Sequence, residues 1–142
     1  MNPVPINYLA IVVAAIASMV IGYLWYGPIF GKPWMKLMGM SSAQMSAEKK
    51  KGMAKGYIIM YITSAIMAYV LAHALVFGNA YLHASGIMSG IMVGFWNWLG
   101  FIATVTVGSV LWEGKSWKLW FLNNGFWLVN LCIMGIILEL WK

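Results

Sequence analysis

From Gly56 to Trp112 the chain carries no Asp, Glu, Lys or Arg. So long an uncharged stretch is unsuited to a water-facing surface. It also exceeds the ~20 apolar residues, each rising about 1.5 Å, that take a helix once across a bilayer's hydrocarbon core. It suffices for two crossings with a turn between them. Gly78-Asn79 and Ser85-Gly86 bracket that turn, because Gly and Asn tolerate the left-handed conformation that ends a helix. Apolar runs from Tyr8 to Tyr26 and from about Leu119 to Leu138 supply one further crossing each. The first is expected to be a retained helix rather than a signal peptide, since no basic segment precedes it and Gly27-Pro28 with Gly31-Lys32-Pro33 follow in place of a small-residue cleavage site. The expected fold is all-α, a four-transmembrane-helix bundle with helices at about 8–26, 56–77, 86–112 and 119–138, forming a single integral membrane domain over residues 1–142. Composition agrees, with 63% hydrophobic and 8% charged residues where a soluble domain carries about 25% charged.

The charges that remain are placed unevenly. Lys32, Lys36, Lys49, Lys50, Lys51 and Lys55 lie between the first two crossings, Lys115 and Lys118 lie between the last two, and the central turn has none. Lysine-rich short loops stay in the cytoplasm, so both termini are expected outside it, in the inner (plasma) membrane; Lys142 alone disagrees. The net charge of +6 is thus a topological signal and not a nucleic-acid footprint. Trp25, Trp34, Trp112, Trp117 and Trp120 mark the same ends, as interfacial aromatics do. Phe30, Trp34, Leu37 and Met38 recur at helical spacing among Lys32 and Lys36, which suits a short helix lying in the interface. After Ser41, a helix opened by Ser42 with Gln44, Met45 and Glu48 is expected to lead through the lysine run into the second crossing. Lys32, Lys36, Lys49, Lys50 and Lys51 are the candidate contacts to anionic lipid headgroups.

The two basic bends are alike. Leu24-Trp25 followed by Gly31-Lys32-Pro33-Trp34-Met35-Lys36-Leu37 parallels Leu111-Trp112 followed by Gly114-Lys115-Ser116-Trp117-Lys118-Leu119. Common ancestry would make the fold two tandem helical hairpins; a shared need for Gly, Trp and Lys at membrane boundaries would produce the same match. Counted at ~100° per residue, Gly86, Gly90, Gly94, Asn97, Phe101, Thr104 and Gly108 share one side of the third crossing. Gly86, Gly90, Gly94 and Gly108 form a candidate helix-packing interface there, because missing side chains let another backbone approach. Ala14, Ser18 and Gly22 on the first crossing, and Ser64, Ala68 and Ala72 on the second, offer similar faces. The fourth carries Asn123, Trp127, Asn130 and Met134 on one side. Buried amides need partners, so Asn97, Asn123 and Asn130 should face the bundle or another subunit.

Taken together, Trp25-Tyr26-Gly27-Pro28, Gly31-Lys32-Pro33-Trp34-Met35, Lys51-Gly52-Met53-Ala54-Lys55 and Trp112-Glu113-Gly114-Lys115 resemble the bacterial membrane family called domain of unknown function 1761. The resemblance covers nearly the whole chain. It implies a four-helix membrane architecture and brings no catalytic residues.

Chemistry is sparse. Tyr69 and His73, four apart, with His83 in the central turn could hold a metal or sense pH, but two histidines without a carboxylate or thiol beside them are better read as packing and interfacial hydrogen bonding. Cys132 is the only cysteine and has no disulfide partner in the chain. Glu113 is placed for a surface ion pair with Lys115 or Lys118, and Glu139 sits in the last turn, away from the asparagine face. No Ser/His/Asp order, phosphate loop or paired carboxylates occur. A non-enzymatic role without metal or cofactor is therefore expected. One reading is binding or transport of a small solute or apolar ligand by a homo-oligomer, at a site lined by Asn97, Thr104, Asn123, Trp127 and Asn130. The other is a structural or accessory subunit whose glycine stripe meets a membrane protein partner. Reporter fusions at the termini and at Gly78-Asn79 are expected to read extracytoplasmic; a cytoplasmic signal from any of them overturns the topology.

Overall fold

The computed structural model describes residues 3–142, apart from the side chains of Met45, Glu48, Lys49 and Lys50. The headgroup contacts expected of Lys49 and Lys50, and the helix-opening roles expected of Met45 and Glu48, lie outside the described residues. Among the described residues all regular structure is helical. Helix α1 (Tyr8–Leu24) continues as a π-helical turn (Trp25–Ile29). It is followed by α2 (Gly31–Met38), α3 (Ser42–Lys50) and α4 (Met53–Leu82). The crossings α5 (Ile87–Leu111) and α6 (Trp117–Leu140) complete the bundle. Four helices are long and apolar enough to cross a membrane: α1 with its π turn, α4, α5 and α6. Large apolar side chains such as Tyr23, Ile58, Ile66, Val70, Phe101 and Val105 stand exposed along their flanks, an arrangement suited to hydrocarbon rather than water.

The ends of these helices follow from local chemistry. Asn7 caps α1, its Oδ1 accepting from the N–H groups of Leu9 at 3.0 Å and Ala10 at 3.2 Å, which fills two of the orphan donors at a helix start. Pro28 cannot donate to the helical ladder. The turn around it widens, and Phe30 N–H reaches back five residues to the Trp25 carbonyl at 2.8 Å. A side chain at Gly31 would press on the Tyr26 carbonyl at 2.8 Å, so this bend requires glycine. Helix α2 stops at Gly39, whose φ of +68° is left-handed. Helix α3 is capped one residue earlier than the sequence suggests. Ser41 Oγ accepts from Gln44 N–H at 3.2 Å while Gln44 Oε1 accepts from Ser41 N–H at 2.8 Å, a reciprocal capping box. The expected continuous run into the second crossing is broken at Gly52, where φ is +133°.

The central turn is also displaced. Helix α4 runs straight through Gly78-Asn79 and ends at His83, which takes the left-handed conformation at φ +52°, with Gly86 at φ +81° completing the turn. Its 30 residues span about 45 Å, longer than the ~30 Å hydrocarbon core. The side chain of Asn79 has a bonding partner on α6, so this residue serves packing and not helix termination.

Helix α6 is the hub, packing against α1, α4 and α5. Its closest neighbour is α5. A Cβ on Gly90 would lie 2.6 Å from the Gly135 carbonyl, and a Cβ on Gly94 would lie 2.6 Å from the Leu131 carbonyl. The two backbones therefore touch with nothing between them. Helices α1 and α4 meet through small residues: Ala14 and Ala68 are wholly buried and the Ser18 and Ser64 hydroxyls are 3.2 Å apart. Such interhelical hydrogen bonds contribute only about 0.6 kcal/mol each in a membrane, so close packing carries most of the cohesion. An apolar core of Ala10, Ala14, Ala68, Leu71, Leu75, Leu131, Met134 and Leu138 fills the half of the bundle nearer the termini. Asn130 is also fully buried; its Nδ2 donates weakly to the Met134 sulfur at 3.5 Å and its Oδ1 finds no partner among the described residues.

In α5 the polar stripe counted from the sequence does not stay on one face. A π-helical segment (Leu99–Ala103) interrupts the helix and inserts a surplus residue. Gly90 and Gly94 before it face α6, whereas Phe101 and Thr104 are exposed and Ala103 turns inward. Gly86 serves the turn instead of the interface, and a Cβ at Gly108 would meet only the Trp112 side chain.

Gly90→Leu forces α5 and α6 apart and is expected to cost at least about 3 kcal/mol, seen as a clear fall in thermal unfolding temperature in detergent. A wild-type melt would overturn the contact. Asn130→Leu removes an unpaired amide and is expected to leave stability unchanged or raise it by up to about 2 kcal/mol. A large loss on the same measurement would reveal a partner for the Asn130 carbonyl.

Candidate functional site

The two basic bends meet at one end of the bundle, and a wide cavity lies between them. Its volume is about 850 Å³, and its walls come from α2 (Trp34, Met38), α5 with its following bend (Thr106, Ser109, Trp112, Glu113, Lys115) and α6 (Trp120, Asn123, Asn124, Trp127), with Tyr26 of the α1 π turn on one side. The π turn places this last residue. The Tyr26 hydroxyl donates to Asn123 Oδ1 at 2.9 Å, and its ring meets Trp34 edge-on at 5.5 Å and Phe126 at 5.2 Å. One residue earlier, Trp25 Nε1 donates to the Leu122 carbonyl at 3.1 Å, and its indole lies 3.2 Å from where a Cβ on Gly125 would stand. Tyr26, Trp34 and Trp127 also border a second cavity of about 500 Å³, facing Lys32, Tyr57 and Met60.

The polar groups of the main cavity are anchored from behind. Asn124, 2% exposed, donates to Thr106 Oγ1 at 3.0 Å and to the Trp120 carbonyl at 3.1 Å. Thr106 Oγ1 donates to Ile102 O, inside the π segment, at 2.7 Å, and Ser109 Oγ donates to Thr106 O at 2.7 Å. Asn123 is held through its Oδ1, and among the described residues the buried Trp120 Nε1–H finds no acceptor. The result is an aromatic chamber with amide and indole donors on its wall and both Glu113 and Lys115 exposed at its edge.

Of the residues expected to line one site, the structure brings together Asn123 and Trp127 only. Asn97 donates to its own helix at Val93 O, 2.8 Å away, and exposed Thr104 donates to Gly100 O at 2.7 Å. Asn130 is sealed in the core. The π segment accounts for Thr104, since one surplus residue rotates everything beyond it. Trp112 and Trp117 are exposed as interfacial residues, but Trp25, Trp34 and Trp120 are drawn inward by the aromatic cluster. Lys32, Lys36 and Lys51 are exposed at this end, free to meet headgroups.

The opposite end holds what the sequence reading passed over. Glu139 is 4% exposed. Its Oε2 accepts from Asn79 Nδ2 at 2.7 Å, its Oε1 accepts from the Gly86 backbone N–H at 3.0 Å, and Lys142 pairs with the same oxygen. The Ser89 hydroxyl in turn bonds Asn79 Oδ1. One carboxylate thus ties α4, α5 and α6 together. The signal was present: Leu131, Gly135 and Glu139 lie four apart on one face of α6, but assigning Asn79 to a turn hid its partner. The pair expected at Glu113 does not form, and Lys142–Glu139 is the one ion pair among the described residues. His73 Nδ1 sits 2.9 Å from the Tyr69 carbonyl with the two rings packed, and His83 ends α4. Among the described residues no three His, Cys, Asp or Glu cluster as metal ligands. The Cys132 thiol points to Ile91 O at 3.7 Å, a packing contact between α6 and α5.

No curated protein and no solved structure matches the chain. The family model described as a protein of unknown function (DUF1761) matches residues 9–139. With its four span-length helices and nearly complete coverage, the chain belongs to this family of unknown function.

Proposed function

We propose that the protein binds or carries a small apolar or aromatic ligand with a polar end, without catalysing its chemistry, as a homo-oligomer in the bacterial inner membrane. In this reading the lysine-bearing loops face the cytoplasm, both termini are extracytoplasmic, and the ligand site opens at the cytoplasmic boundary. The observation that carries it is the cavity of about 850 Å³ bordered by Trp34, Trp112, Trp120 and Trp127 with Asn123 on its wall. Ligand sites commonly combine an apolar surround with a few fixed polar groups. Here the indole faces suit an aromatic body and the Asn123 amide suits a hydrogen-bond acceptor. The exposed lysines around this end attract anionic headgroups, which would hold the mouth of the cavity at the membrane surface.

The second reading, an accessory subunit, draws on a different face. A side chain at Gly100 would meet open space, and Thr104 beside it is exposed, so this outward part of α5 accommodates a close neighbour, whereas Gly90 and Gly94 are already occupied by α6. Homo-oligomerisation through α5 would use the same outward part.

Indole added to the protein in lipid nanodiscs is expected to raise its unfolding temperature saturably. Combined Trp120→Leu and Asn123→Leu substitution is expected to weaken that binding at least about tenfold. An effect on melting that never saturates, or that the double variant retains, sinks the ligand reading. A monomer on native mass measurement removes the homo-oligomer.

A further inference from the structure

At the end of the bundle remote from the basic bends, a third cavity of about 460 Å³ opens between the segment before α1, the last turns of α4 and the end of α6. Its walls are mostly apolar, with Ile6, Ala10, Leu75, Val76 and Leu138 among them, and Trp141 contributes an aromatic surface. Glu139 is its anion. That carboxylate side chain is 1% exposed while the Lys142 side chain paired with it is 55% exposed.

The asymmetry is informative. Burying a carboxylate is costly unless its charge is met, and the neutral donors Asn79 Nδ2 and Gly86 N–H hold it in place without cancelling that charge. The cancelling charge comes from a lysine whose side chain is half exposed on a flexible stem, so the cation is shared with solvent and loses side-chain freedom to hold the pair. An ammonium that is held weakly at a buried anion, beside an apolar cavity larger than a lysine stem needs, is readily replaced by another ammonium that also fills the cavity.

The geometry points to a binding site for an organic ammonium ion with an apolar body, in which the Lys142 side chain occupies the place of the ligand's ammonium group. The ligand's N–H groups donate to Glu139, its hydrocarbon lies along Ile6, Ala10 and Leu75, and the indole of Trp141 favours positive charge near its face. This site is separate from the aromatic cavity at the lysine-bearing end and shares no residue with it.

The test is calorimetric titration of the full chain in nanodiscs with 2-phenylethylammonium, against empty nanodiscs and against neutral 2-phenylethanol. Saturable binding of the cation is expected, with the alcohol failing to compete. Lys142→Met removes the internal competitor and is expected to tighten binding about two- to sixfold, the reciprocal of what a weak ion pair withholds. Glu139→Gln, checked for helicity by circular dichroism, is expected to weaken it at least about tenfold. Lys142→Met keeps the Asn79 and Gly86 hydrogen bonds to Glu139 but removes the cation beside it, so its helicity is checked in the same way, and the comparison of amine with alcohol on the unaltered chain decides the matter if neither variant folds. Asn123→Leu is expected to change nothing here, which separates this site from the aromatic one. Weaker binding in Lys142→Met, equal binding of the alcohol, or saturable binding of sodium ions with none of the amine would overturn the proposal.

Discussion

The contact of Gly90 with Gly135 sets the position of everything else in the bundle. With no side chain on either residue, α5 and α6 approach until their backbones meet, and dispersion between the helices is then gained along the whole seam. At one end of the seam this closeness brings the Gly86 N–H within reach of Glu139. Towards the other end it brings Thr106 against Asn124, fixing the wall of the aromatic cavity. The looser α1–α4 pair, built on alanine and serine, lies against α6 and inherits its placement from that hairpin.

The architecture was legible because it rests on long-range averages. Uncharged length, lysine placement and tryptophan boundaries each sum over many residues, and four span-length helices follow from them. What failed were inferences resting on single residues. Gly78-Asn79 has the composition of a turn, yet the helix continues because Asn79 gains a buried carboxylate by staying helical. His83, less suggestive in sequence, takes the left-handed position instead. Phe101 and Thr104 were carried onto the glycine face by a constant ~100° step, which the π segment between Leu99 and Ala103 invalidates. Nothing in Leu-Gly-Phe-Ile-Ala announces that widening, whereas Pro28 makes the one after Trp25 intelligible.

The candidate site was half legible for the same reason. Asn123 and Trp127 lie on an uninterrupted helix, where periodicity is reliable, and both reach the cavity. Tyr26 reaches it only through the π turn, and Thr106 meets Asn124 only through the altered bearing of α5. The alike sequences at the two bends also diverge in three dimensions. Gly31-Lys32-Pro33-Trp34 opens a separate short helix, but after Gly114 Ser116 caps α6 itself, its Oγ accepting from Leu119 N–H at 3.1 Å. One motif therefore adds a separate short helix to the cavity's walls and the other leads directly into α6.

The π segment of α5 has a wider meaning than a miscounted face. A helix with a surplus residue is two half-helices on a common axis with different compass bearings, about 100° apart. The upper half is pinned by glycines to α6 and the lower half by Thr106 to Asn124, so the surplus is trapped between two fixed points, like a twist in a rope held at both ends. The same chain wound as a regular α-helix would turn Thr104 and Gly108 toward α6, whereas a chain one residue shorter between Trp98 and Thr104 would lose the widening and keep their present bearing. The surplus residue thus governs which side chains of the lower half of α5 meet the cavity.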